Sequence, residues 1–198
     1  MDAIEILMNE HRLIERVCDA LEGFAETAAR RTGDDKAELA SFVTFISKFA
    51  DGCHHGKEED ILFAAMVDAG FSREVGPVAV MLVEHDRGRA CVAELRRLAE
   101  QDAPWSDDDR RRLVEAARGY SGLLHNHIHK EDAILYPMAE QHLPAETLER
   151  VNTDCAAYEA AKTGDGEHER LHAIADELVK RHAAGAPTHR AAPMSFCG

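Results

Sequence analysis

A ten-residue segment that occurs twice constrains this chain more than any other feature. His54-His55-Gly56-Lys57-Glu58-Glu59-Asp60-Ile61-Leu62-Phe63 aligns with His127-Ile128-His129-Lys130-Glu131-Asp132-Ala133-Ile134-Leu135-Tyr136, so histidine, lysine, glutamate, a second acid, leucine and an aromatic recur in register 73 residues apart (54 to 127). Glu10-His11 matches Glu84-His85 in the same way, 74 residues apart (11 to 85). Residues four apart lie on one face of an α-helix, so each H-x-x-x-E pair projects an imidazole and a carboxylate toward one point. The repeat predicts two copies of a helix pair, the first helix bringing one histidine and the second bringing H-x-x-x-E.

Helical periodicity dominates the chain, and no alternating stretch reads as a strand, so the fold class is all-α. The first helix is expected from about Ala3 to Ala29, on an apolar stripe of Ile4, Leu7, Ile14, Cys18, Leu21 and Phe24. Asp34 and Asp35 suit the start of the second helix, which carries Leu39, Phe42, Ile46, Phe49 and Cys53 and ends near Ala69-Gly70. Gly76-Pro77 opens the third, and Ser106 with Asp109 forms a capping-box pattern at the start of the fourth. Four amphipathic helices with short polar loops predict an antiparallel up-down-up-down four-helix bundle with additional C-terminal helices. The expected organisation is a metal-binding bundle over residues 1–142, a helical extension over 143–184 packed on it, and a flexible tail over 185–198 rich in Ala, Pro and Gly. Within the extension, two helical pieces are expected on either side of Lys162-Thr163-Gly164-Asp165.

His11, His54, Glu58, His85, His127 and Glu131 all continue apolar stripes and so point at the core. A buried carboxylate without a partner is costly, and two facing each other more so. A multivalent cation removes that cost directly. His55 and Glu59 also stand four apart, but their equivalents Ile128 and Asp132 form no such pair. His55 is therefore read as a neighbour of the site, and Glu59 as a residue that alanine could replace with little effect. His125 and His129 fall on the opposite, solvent-facing side.

The net charge of −14 disfavours phosphate backbones and anionic headgroups, so neither nucleic acid nor a membrane is expected as a partner. The opening MDAIEILMNEH carries acids and no base before His11, unlike a secretory leader, and the expected location is cytoplasmic. Five cysteines without a C-x-x-C pair predict neither a disulfide framework nor a thiolate zinc site.

On these residues the sequence resembles the hemerythrin-like, or HHE cation-binding, family, in its six-ligand H, H-x-x-x-E, H, H-x-x-x-E branch. KEEDILF and KEDAILYP extend the match beyond the donors, over about residues 3 to 142. The resemblance implies a pair of iron ions with an oxo or hydroxo bridge, His11, His54, His85 and His127 as terminal ligands, and Glu58 and Glu131 bridging. Oxygen carriers of the family have a second histidine four residues from the one on the third helix. Here those positions are Met81 and Arg89. The missing donor implies a centre reacting with or sensing H₂O₂, NO or O₂ in oxidative or nitrosative stress, with catalase-like turnover or NO reaction as the activity, rather than one that carries oxygen. The alternatives are an oxygen or NO sensor acting through a protein partner, or an iron-handling protein. His168-Glu169-Arg170-Leu171-His172 matches the H-E-x-x-H zinc peptidase motif, a weaker reading because no strand pattern for a substrate cleft precedes it. Tyr158, His168 or His172 could supply an additional donor from the extension.

Overall fold

The computed structural model describes residues 1–31 and 33–182, without the side chains of 163–165. Among them there is no strand, and the chain forms four helical rods followed by a long C-terminal helix. The first rod is α1 (Ala3–Ala29). The second is α2 (Lys36–Phe45), which widens into π-helical turns π1 (Ile46–His55) and π2 (Glu58–Leu62) before α3 (Phe63–Asp68). The third is α4 (Pro77–Glu100), and the fourth is α5 (Asp107–Lys130), π3 (Glu131–Leu135) and α6 (Tyr136–His142).

Local chemistry sets these boundaries. Asp2 with Glu5 and Ser106 with Asp109 each close a capping box, satisfying amides that the first turn leaves without partners. Asp35 stands at the start of α2 as expected, yet its side chain caps nothing and pairs with Arg31 instead. Asp34 accepts from the Trp105 amide and from Arg110, tying the first loop to the third.

The C-terminal segment is a single element, α7 (Ala145–His182), where two pieces were expected. The expected break survives at Gly166, whose φ of +82° is a left-handed value that costs glycine little because it has no Cβ. α7 runs along the groove between α1 and the second rod. Asn152 accepts from the Ala3 amide at one end, and His182 meets Glu38 at the other. The expected tail over 185–198, with Cys197, lies outside the described residues.

The core divides in two. One apolar cluster gathers Ile14, Leu21, Phe24, Phe42, Phe49, Leu95, Leu113 and Tyr120, and α7 adds Leu171, Ala175 and Leu178 to it. The other gathers Ile4, Leu7, Leu62, Phe63, Met66, Val78, Leu135 and Tyr136, with Val151 and Cys155 from α7. Between them lies a polar layer, in which His11, His54, His55, Glu58, His85, His127 and Glu131 are all buried. Cys18, Cys53, Cys91 and Cys155 are buried and form no disulfide. Among the described residues no helix is long and apolar enough to cross a membrane.

Candidate metal centre

The six residues expected at the site come from all four rods and converge in the polar layer. They form two groups sharing one carboxylate: His11, His54, Glu58 and Glu131, and His55, Glu58, His85 and His127, with the donor atoms of each group within 4.8 Å of one another. His55, read from sequence as a bystander, belongs to the second group. His54 and His55 both face inward at the end of the π-helical turn π1, and the repeat partner of His55, Ile128, is buried in α5, so the position is inward in both halves. The bridging candidates Glu58 and Glu131 each begin a π-turn as well.

Every imidazole of the two groups turns Nδ1 outward to a carboxylate. The pairs are His11 with Asp132 at 2.7 Å, His54 with Glu10 at 2.8 Å and His85 with Glu59 at 2.6 Å. His127 meets Glu84 at 3.0 Å, and His55 meets Asp51 at 3.4 Å. Nδ1–H donation of this kind fixes the ring and aims the Nε2 lone pair inward, as metal-ligating histidines require. The remaining repeat residues build this outer layer. Lys57 holds Glu10 and Lys130 holds Glu84, while Arg89 holds Glu59 and Arg12 holds Asp132. Tyr136 stacks on His11 at 5.5 Å between centroids, and its counterpart Phe63 stacks on His85 at 5.9 Å. The two halves differ in that the Tyr136 hydroxyl donates to Glu58 Oε1 at 2.6 Å.

Facing inward, four donor atoms lack partners. Glu58 Oε2, both Glu131 oxygens and His55 Nε2 are buried without a hydrogen bond. His11 Nε2 and His127 Nε2 approach Glu131 Oε2 at 3.3 and 3.2 Å, but off a hydrogen-bonding line. His85 Nε2 and His127 Nε2 stand 3.0 Å apart, a repulsive approach of two lone pairs unless a proton or a cation lies between them. Buried polar atoms are nearly always satisfied, so four orphans in one layer describe a nest that a cation fills.

Without a cation, protons take its place. Burial opposes charge on His127, but Glu131 and Glu84 overcome it and raise its pKa to about 10. For His11 burial is likewise outweighed, here by Asp132 and Glu131, and its pKa rises to about 9. Burial, reinforced by the facing Glu131, pushes Glu58 well above the carboxylate range. Burial would raise Glu131 too, yet the His127 and His11 charges hold it well below.

Glu59, expected to be dispensable, is the outer partner that orients His85. The Glu59→Ala variant is therefore predicted to weaken metal affinity by about 10- to 100-fold while leaving the stoichiometry unchanged. Competition against a chromophoric chelator measures this, and an affinity equal to the parent's would mean that the His85 ring is held without it. Three other expectations are corrected. Tyr158 does not approach the site: its hydroxyl meets the Gly52 carbonyl at 3.4 Å, and a Cβ on Gly56 would lie 2.1 Å from it. His168 and His172 pack their rings on Phe49, Glu169 is exposed, and no metal-sized group among the described residues includes them. His129 is exposed as expected, but His125 is half-buried between Glu15 and Asp19.

A family model described as the hemerythrin HHE cation binding domain matches residues 2–139. Comparison with curated proteins and with solved structures gives no match.

Proposed function

Because this chain belongs to the hemerythrin HHE cation-binding family, we propose that its polar layer holds two iron ions that react with or sense small ligands such as H₂O₂, NO or O₂, in cytoplasmic defence against oxidative or nitrosative stress. In this reading His11, His54, His85 and His127 are terminal donors, Glu58 and Glu131 bridge, residues 1–142 form the metal-binding unit, and the helical extension that follows covers it. The observation that carries it is the inner face of the site, where buried imidazoles from all four rods meet two facing carboxylates, three of whose oxygens have no hydrogen-bond partner. Imidazole with carboxylate suits iron as well as manganese or zinc, and the family favours iron.

Bound iron would supply electron exchange with peroxide, NO or oxygen. The chain's own residues do the rest. The outer carboxylates fix five imidazole rings, the two apolar clusters exclude bulk water, and Tyr136 holds Glu58 in place by its hydroxyl hydrogen bond. The acidic surface keeps nucleic acid and anionic membranes away from this role.

Elemental analysis of purified protein tests the reading, with two irons per chain expected, and peroxide decomposition and NO reaction by the loaded protein test its chemistry. A single zinc that persists in His54→Ala and disappears in His172→Ala would favour a peptidase instead. A long-lived oxygen adduct with no response to peroxide would return the protein to oxygen carriage.

One observation favours the sensor reading. His54 Nδ1 meets Glu10, Glu10 meets the buried Lys57, and Lys57 reaches Glu159 on α7 at 3.2 Å. A change at His54 thus has a continuous polar path to the C-terminal helix, where a protein partner could read it.

A further inference from the structure

A cavity of about 260 Å³ opens between the second rod, α4 and α5, lined in part by Ser47, Asp51, His55, Arg89, Arg96 and Tyr120. Of the seven side chains in the two metal-sized groups, His55 alone lines it. Its ring stacks on His85 with centroids 3.8 Å apart and planes 16° apart, and its Nε2 is buried with no partner. The symmetry-related position is Ile128, which lies in hydrocarbon. The repeat is therefore broken at one inward position, where one half keeps an apolar side chain and the other presents a nitrogen donor.

α4 brings His85 alone to the site. Its Met81 packs in the apolar cluster, and Arg89 turns away to bind Asp51 at 2.8 Å and Glu59 at 2.7 Å. Asp51 in turn is the outer partner of His55. That contact is the loosest of the five, at 3.4 Å against 2.6 to 3.0 Å for the others, and Asp51 is shared with Arg89 at the edge of the cavity. A donor with a bare inward nitrogen, a loose outer anchor and open space on its flank can bind and can also be displaced.

Resting on the di-iron reading, we propose that His55 is a fifth imidazole donor, to the ion shared by Glu58, His85 and His127, and the donor that yields its place to a small anion or peroxide entering from the cavity. The exchange is ligand for ligand: the bond to His55 Nε2 breaks, one to the incoming molecule forms, and no electrons are transferred.

The test uses iron-loaded full-length protein, with azide as the entering ligand. Iron content, the number of imidazoles seen by X-ray absorption, and azide association and dissociation rates are measured for the parent, His55→Ala, His55→Gln and Ser47→Phe. His55→Ala is expected to keep two irons, to lose one imidazole of five, and to bind azide faster than the parent, since no donor has to leave. His55→Gln keeps much of the side-chain volume, guards against a packing defect, and is expected to lose the same imidazole. Ser47→Phe narrows the cavity wall, so azide association and dissociation are expected to slow by the same factor, with affinity and imidazole number unchanged. A parent protein with fewer than two irons overturns the di-iron reading and this inference together. Two irons in every variant, with imidazole number and azide rates in both His55 variants equal to the parent's, overturn this inference alone.

Discussion

Glu58→Ala is expected to abolish binding of the ion pair, with a loss of affinity beyond the 10- to 100-fold (about) that removal of an outer partner such as Glu59 costs. Glu58 is the one residue common to both metal-sized groups, so its truncation removes a donor from each at once. Glu131→Ala is expected to follow it, because Glu131 faces Glu58 and lies between His11 and His127. Metal content after desalting, together with calorimetric titration, reads the effect. The metal-free protein responds in the opposite sense. There burial and the facing Glu131 favour the neutral carboxyl of Glu58, and a neutral amide reproduces that state and can still accept from the Tyr136 hydroxyl, so metal-free Glu58→Gln is expected to melt no lower than the metal-free parent. If Glu58→Ala kept two ions while Glu59→Ala lost them, the register of the second rod would be wrong by one residue.

Removal of the metal is expected to lower the melting temperature by about 10 °C. Free metal at a thousand times the dissociation constant contributes about 4 kcal/mol to the folded state, and each kcal/mol shifts the midpoint of a domain this size by about 2–4 °C. The physical source is the polar layer, which separates two apolar clusters and leaves three carboxylate oxygens without partners until a cation arrives. Circular dichroism melts before and after chelation, with demetallation verified by elemental analysis, measure the shift. Superimposable melts would show that protons on His11 and His127 already satisfy the layer.

The sequence by itself determined the four rods and the six inward residues. Both are written in periodicity: apolar stripes at helical spacing place α1 and α4, and H-x-x-x-E repeated 73 residues apart (54 to 127) places the carboxylates. The limits of α1 and the Ser106 capping box depend on neighbours within one turn and were equally legible. The outer layer was present in the repeat but unread. Glu10 and Glu84, Lys57 and Lys130, and Glu59 and Asp132 recur in register, yet a recurring acid does not say which histidine on another rod it meets.

Only the tertiary structure decided His55. Its repeat partner Ile128 is apolar and buried in α5, so the repeat marks an inward position there without marking a donor. What orients the His55 ring is the stack on His85 from α4 and the Nδ1 contact with Asp51, which leave Nε2 facing the centre. The same holds for α7: Gly166 marks a break in any reading, but whether the chain leaves or continues there depends on the groove that Leu171, Ala175 and Leu178 fill. Local rules fix what repeats within a few residues. Contacts between distant rods fix which nitrogen of which histidine faces the centre.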